Sequence, residues 1–252
     1  MKRIVQAFLG ISLLLFFVAI ILNRFQPVSA ATATNIVISE IQIAGVNPTD
    51  DFIELYNPTS SEIDLKDYRL VKVTGSGTDD DGVVAFENGD VIPAHGYFLW
   101  CNTNLTTTLN CDRSTSGSIA NNNSIGLRNG ALNTGILVDS VTFGTVTNSL
   151  GEGLSLTAPT ASTSVERKAQ ASSTNISMAV GGVDEFMGNG EDTNNNSSDF
   201  VARSLPQPQN NASPIEPIGA PSVTPNPSPN PTATLTPTNT PSPTLSISPT
   251  LT

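Results

Sequence analysis

The chain has 252 residues and is acidic, with 22 Asp and Glu against 11 Lys and Arg and a net charge of −11. Loss of residues 1–30 would remove three basic residues and no acid, leaving 8 against 22 and a net charge of −14. Electrostatic binding of nucleic acid or anionic lipid requires basic patches, so this charge weighs against both. Cations, sugars and proteins remain as partner classes.

Residues 1–30 have the pattern of an export segment. Lys2 and Arg3 precede an uncharged, mostly apolar run at 4–22, and because basic residues stay on the cytoplasmic side, we expect the rest of the chain outside. Small residues ending at Ala30 favour signal-peptide cleavage after that residue. The run is longer than an ordinary signal core, so a retained membrane anchor is the alternative. In either case only this segment would contact the membrane.

Cys101 and Cys111 are the only cysteines. An even pair in an exported chain predicts a disulfide, and two free thiols are the alternative if the cell surface is reducing. The chain has a single His, so these residues do not supply the four ligands of a zinc site.

Residues 31–205 form the predicted folded domain. Short runs rich in β-branched and aromatic residues alternate with turns containing Gly, Asn, Asp and Pro, and no sustained helical periodicity follows the export segment. This pattern predicts an all-β fold, a two-sheet sandwich. The seven predicted strands are 36–43, 52–57, 68–73, 83–86, 97–101, 124–128 and 136–143.

Composition changes at residue 206. Residues 206–252 hold 13 of the 18 prolines, no aromatic residue and a single charge, Glu216. Such a segment buries too little apolar surface to offset the entropy of ordering it, so we predict a disordered, extended linker or stalk over 206–252. Its dense Ser and Thr would also suit O-glycosylation.

Several segments occur in a recognisable order. They are ISEI at 38–41, DFIELYNP at 51–58, IDLKDYRL at 63–70, IPAHGYFL at 92–99 and VDSVTFG at 138–144, followed by SVERK at 164–168 and DTNNNSSDF at 192–200. The series resembles the lamin tail domain of exported bacterial proteins. The resemblance implies an immunoglobulin-like β-sandwich that serves as an interaction or structural module without catalysis of its own.

A loop near the end of the domain is the best candidate metal site. Asp192, Asn194, Asn196 and Asp199 place oxygen atoms at alternate positions, a pattern that can converge on Ca²⁺. The sequence lacks the Gly and the distal Glu of an EF-hand, and the alternative is a turn in which these side chains bond their own backbone. The acidic stretch at 79–81 is a weaker candidate, because a solvated loop tip explains it.

No residue pattern indicates an enzyme. The only His, His95, lies in a predicted turn without a motif that would pair it with a nucleophile. Glu40 and Glu54 stand in mid-strand; if their strands pair, the two carboxylates could face one another, but a solvent-facing pair is the simpler interpretation. Tyr97 and Trp100 are expected in the core rather than on a sugar-binding surface.

The sequence therefore predicts a non-enzymatic, extracellular or cell-surface binding or structural module whose partners are proteins or glycans. A calcium-dependent adhesive module is the alternative, and an accessory domain of a secreted hydrolase is a third hypothesis. The oligomeric state is open.

Overall fold

Short strands make up most of the domain. A computed structural model describes residues 31–219. A 3-10 turn lies at Thr103–Leu105, and one short helix, α1 (Asn196–Asp199), precedes the last strand. The strands are β1 (Val37–Gln42), β2 (Phe52–Tyr56), β3 (Ile63–Asp64), β4 (Tyr68–Val73), β5 (Asp81–Ala85), β6 (Val91–Ile92), β7 (Tyr97–Asn102), β8 (Arg113–Thr115), β9 (Ser124–Asn129), β10 (Ile136–Thr142), β11 (Ser164–Arg167) and β12 (Phe200–Arg203).

Two sheets pack against each other. One has six strands in the order β12-β11-β1-β2-β7-β8, the other has four in the order β10-β9-β4-β5, and β3 pairs with β6 in a small third sheet. All pairs are antiparallel except β7 with β8. The all-β sandwich is confirmed, and each of the seven predicted strands has a counterpart in the structure. Five strands, β3, β6, β8, β11 and β12, were not predicted, because each has only two to four residues and too little apolar alternation to be recognised.

The main core lies between the sheets. Ile38, Ile41 and Trp100 from the six-stranded sheet meet Leu127 and Val141 from the four-stranded sheet in one buried cluster. Burial of each such aliphatic side chain contributes about 1.5–3 kcal/mol. The prediction that Trp100 is a core residue is confirmed, since it is fully buried and its indole Nε1 donates to Thr115 Oγ1 at 3.1 Å.

The six-stranded sheet is buried on its other face as well. Every residue of β1, β2 and β7 is buried. The loop at 103–111 packs on the outer face over Phe52 and Leu99, and residues 205–219, which we call the strap, lie across the part of that face that carries Glu40, Glu54, Tyr56 and Tyr97. The strap bonds to the sheet through several backbone and side-chain groups. The prediction of disorder from residue 206 is therefore wrong for 206–219, and the ordered domain extends to residue 219.

The predictions of a membrane-spanning or export segment and of a C-terminal linker concern the two ends of the chain. Between residues 31 and 219, no helix has the length and apolar character needed to span a membrane. The apolar run at 4–22, the predicted cleavage after Ala30 and residues 220–252 of the predicted linker lie outside the described residues.

Candidate functional site

Three carboxyl groups form a row across the outer face of the six-stranded sheet. Glu40 on β1 stands opposite Glu166 on β11 and opposite Glu54 on β2. A β-bulge between Ile38 and Glu40 interrupts the alternation of β1, so that Ile38 and Ile41 both join the core while Glu40 lies in the row. This register places the carboxyl groups directly opposite one another, where they would repel each other if ionised.

The row is buried beneath the strap. Glu40 and Glu54 are each 1% exposed. The strap donates its Gln207 N–H to Glu40 Oε1 at 3.3 Å and its Gln209 N–H to Glu54 Oε2 at 2.5 Å. The interpretation of Glu40 and Glu54 as a solvent-facing pair is therefore wrong, because the strap takes the place of solvent.

Burial governs the protonation of the row. It raises the pKa of Glu40 to about 8, and the neighbouring Glu166 adds to the shift. Burial also raises the pKa of Glu54 well above its usual value, with a further contribution from Glu40. The pKa of Glu166 is raised by burial to about 7, although Arg203, whose Nε lies 2.8 Å from Glu166 Oε2, favours the ionised form. Hydroxyl groups complete the row, because Ser164 donates to Glu40 and Ser39 donates to Glu54.

Two tyrosines fix the end of the strap. Tyr56 Oη donates to the Glu216 carbonyl at 2.5 Å, and Tyr97 Oη donates to Glu216 Oε2 at 2.6 Å. Tyr97 is fully buried, as predicted for a core residue, although it packs in a second cluster with Ile218 of the strap rather than between the sheets. Gly188 allows this approach, since a Cβ there would lie 1.9 Å from Tyr56 Oη and 2.2 Å from the Glu216 oxygen.

A buried ion pair joins the two sheets. Arg167 on β11 is fully buried, and its Nη2 lies 3.0 and 2.9 Å from the two carboxylate oxygens of Asp139 on β10. The same guanidinium donates to the carbonyl oxygens of Ile38 and Glu191 and stands over the Phe200 ring, 4.7 Å from its centroid. Both sequence segments were part of the family resemblance, but the pairing of the two residues was not predicted.

The predicted calcium ligands take part in this region as hydrogen-bonding groups. Asn196 Oδ1 accepts from two backbone N–H groups and its Nδ2 donates to Ser140 O. Asp199 accepts from Thr193 and from the Asn195 N–H. These contacts tie α1 to β10 and close the loop on itself.

Two other features bear on metal binding there. Asn194 has a left-handed φ of 55° and donates its N–H to Asp192 Oδ1 at 3.2 Å. Nη1 of Arg167 lies 3.7 Å from Asp192 Oδ1 and 4.0 Å from Asp199 Oδ2, so a cation already faces the loop. Within residues 31–219, no group of three or more His, Cys, Asp or Glu side chains is arranged to hold a metal ion. The calcium site stays a prediction from the sequence.

The second acidic stretch is part of a turn. Asp80 accepts from Arg128 Nε at 2.5 Å and from the Asn133 N–H at 2.6 Å. Asp81 lies 3.4 Å from Lys72 Nζ. These carboxylates stabilise the edge of the four-stranded sheet.

The single His also has a structural position. His95 has a left-handed φ of 53° in the turn before β7, and its backbone contacts Thr59 and Glu216. Its Nδ1 is buried without a hydrogen-bond partner among the described residues.

Cys101 and Cys111 form a disulfide, with their Cα atoms 6.0 Å apart. The bond closes the loop that follows β7 over a small apolar cluster. Beside this loop lies an open groove of about 610 Å³, bounded also by the turn after β1 and the start of the strap. The groove is lined by Gln42, Gly45, Val46, Asn47, Asp50, Phe52, Asn104, Leu105, Thr107, Thr108, Leu109, Ser162, Leu205, Pro206 and Pro208.

Comparison with known proteins supports the resemblance. Residues 29–145 match the family model of the lamin tail domain. No curated protein sequence matches the chain. The matched range contains β1 to β10, whereas β11, β12 and the strap follow it in the chain. Residues 29–145, which contain the quoted segments from 38 to 144, are therefore similar to the lamin tail domain, an immunoglobulin-like sandwich.

Proposed function

We propose that this chain is a non-catalytic module that binds a partner protein outside the cytoplasm through the groove beside the disulfide loop. The observation that carries the proposal is the groove itself, which combines the volume of an ordinary binding site with exposed apolar side chains at its mouth. A lamin tail domain is in general a structural or binding module, which agrees with this role.

The extracytoplasmic location is supported by features of the sequence. Lys2 and Arg3 followed by the apolar run at 4–22 have the pattern of an export signal. A disulfide between Cys101 and Cys111 persists best in an oxidising compartment. The acidic net charge argues against chromatin or another nucleic acid as the partner.

The chemistry of the groove favours protein over glycan. Val46 is 94% and Leu205 71% exposed at the rim, and aliphatic groups of this kind gain most from burial against apolar side chains of a partner. The only aromatic ring in the lining belongs to Phe52, which is 1% exposed and so presents no face on which a sugar could stack. Asn and Thr side chains around the rim can bond to a partner's backbone.

The proposal is tested by presenting the chain to arrays of extracellular proteins and of glycans, in parallel with two rim variants. Val46→Asp and Leu205→Asp each place a charge where we expect apolar contact, so protein binding should fall at least tenfold, about 1.4 kcal/mol. Ile136→Asp is the control, since Ile136 is 74% exposed on β10 and is not part of the groove.

The array results separate the alternatives. Protein binding that both rim variants lose and the control retains supports the proposal. Blank protein arrays, binding to glycans alone, or protein binding that the rim variants leave unchanged would each contradict it.

A further inference from the structure

The strap covers the one place in the described domain where carboxyl groups stand in a buried row. Its backbone reaches Glu40 and Glu54 through Gln207 and Gln209, and its own Glu216 lies against Tyr97. A side chain of the strap also meets the sheet, since Arg203 Nη2 donates to Gln207 Oε1 at 2.6 Å. The strap is therefore attached mainly to groups that can change charge.

We propose that the strap is a pH-dependent latch, docked on the sheet while the carboxyl row is protonated and released when the row ionises. Release would return the carboxyl row on the outer face of the six-stranded sheet to water and free residues 205–219. The sandwich core is on the opposite face and would stay intact, because its contacts do not pass through the strap.

The charges around the row are unbalanced. Glu40, Glu54 and Glu166 come from three adjacent strands, and Glu216 comes from the strap. Further groups face the strap from other elements: Tyr56 and Tyr97 from the sheet, Glu185 near Glu216, Asp112 bonded to the Asn211 N–H, and His95 through its carbonyl. Arg203 is the single cation among the groups that these contacts bring to the row.

The direction of the effect follows from linkage. Burial under the strap raises the pKa of Glu40 to about 8 and that of Glu54 well above its usual value, whereas exposed glutamates titrate near their ordinary value of 4.5. The docked state therefore binds more protons than the released state between about pH 4.5 and 8. Docking is favoured fully below this window and weakens as pH rises through it. Burial also raises the pKa of Glu166 and Glu216, which act in the same direction.

Release would change where the C-terminal chain leaves the domain. In the docked state, Ile218 packs beside Ala33 and Val37, so the following chain departs next to the N-terminal end of the domain. In the released state, ordered structure would end with β12, and 205–219 would add up to about 50 Å of reach. The latch would thus set the distance between the domain and whatever follows residue 219.

The test follows the methyl resonances of isoleucine by NMR in the full chain between pH 5 and 9. Ile218 lies in a cluster with two tyrosine rings when docked, and Ile125 in the sandwich core serves as an internal reference. We expect the Ile218 methyl to move to its unstructured position as pH rises while Ile125 stays in place. Each carboxyl that ionises on release should raise the released-to-docked ratio by up to about tenfold per pH unit.

The double variant Glu40→Gln, Glu54→Gln is the decisive comparison, because glutamine keeps the shape and the acceptor oxygen but never ionises. Its strap should stay docked at a pH at which the unmodified chain has released it. Glu62→Gln changes an exposed carboxyl and should behave as the unmodified chain does. Three results would overturn the proposal: an Ile218 methyl that stays docked to pH 9, equal release in the double variant, or simultaneous shifts of Ile218 and Ile125, which would mean global unfolding.

Discussion

Arg167 forms the buried ion pair that connects the two sheets of the sandwich. It is the fully buried cation of the domain interior, and its partner Asp139 also accepts the Ile38 N–H at 2.5 Å. One guanidinium and one carboxylate thus connect β1, β10 and β11. A buried pair contributes little compared with apolar packing, but loss of one partner leaves the other charge unpaired.

Arg167→Met should therefore destabilise the domain by about 3–5 kcal/mol. The physical reason is that Asp139 would keep its burial and lose its counter-charge. Arg113→Met is the matched control, because Arg113 is partly exposed, pairs with the exposed Glu87 and lies 3.7 Å from Asp90 Oδ2, so its loss should cost no more than about 1 kcal/mol. Urea unfolding of the three chains measures both values, and equal losses in the two variants would contradict the assigned role.

Gly188 is required by a close approach and not by its backbone angle. Gly188→Ala would push a methyl group into Tyr56 Oη and the Glu216 carbonyl. We expect the strap to be displaced, with a loss of about 1–3 kcal/mol, typical of overpacking. The readouts are the thermal midpoint and the Ile218 methyl resonance.

Gly82→Ala is the control for this change, since a Cβ at Gly82 meets nothing within 4 Å. A Gly188→Ala chain with the stability and the Ile218 resonance of the unmodified chain would show that the strap does not dock as described.

At the scale of elements, seven of the twelve strands were predictable from the sequence, whereas the docking of the strap on the outer face of the six-stranded sheet was not. β4 begins and ends where the sequence pattern placed it, because alternation and turn residues are local signals. The strap was mistaken for linker because Pro-rich composition describes what a segment can form alone. Its docking depends on Tyr56 and Tyr97, about 120 or more residues earlier in the chain. The mid-strand position of Glu40 was the available signal, since a charge within a continuous apolar run requires a partner.

The disulfide loop is an element whose contribution can be measured alone. Replacing Cys101 and Cys111 by Ala opens the loop that borders the groove and removes the cross-link from the unfolded chain. We expect a loss of about 2–4 kcal/mol in urea unfolding. The same loss should appear when the unmodified chain is unfolded with a reductant, and no change in either experiment would mean that the bond does not stabilise the domain.

The contacts of the loop at 192–199 lead us to expect no stabilisation of the domain by Ca²⁺. Arg167 already supplies positive charge to Asp192 and Asp199, and Asn196 is bonded to β10. We therefore expect Ca²⁺ and a chelator to leave the thermal midpoint unchanged, because a ligand stabilises a fold only when it binds the folded state. A midpoint that rises with Ca²⁺ and falls with chelator would support the calcium site predicted from the sequence.

At the scale of the whole molecule, the domain is larger than the family match. Residues 29–145 supply ten strands, but the six-stranded sheet is complete only with β11 and β12, and the strap covers the part of its outer face that carries Glu40 and Glu54. The sequence alone predicted the class of fold and the disulfide pair. It did not predict the groove, the carboxyl row or the Arg167 pair, because each joins residues that are distant in the chain and are brought together only by the sheet order.

Two C-terminal truncations, one ending at Gly219 and one at Ser204, test most directly whether the strap is an integral part of the domain. Both are compared with the full chain by thermal unfolding at pH 5, where the carboxyl row is protonated. We predict that the chain ending at Gly219 unfolds with the midpoint of the full chain, while the chain ending at Ser204 unfolds at a lower temperature. Equal midpoints for the two truncations would contradict the account.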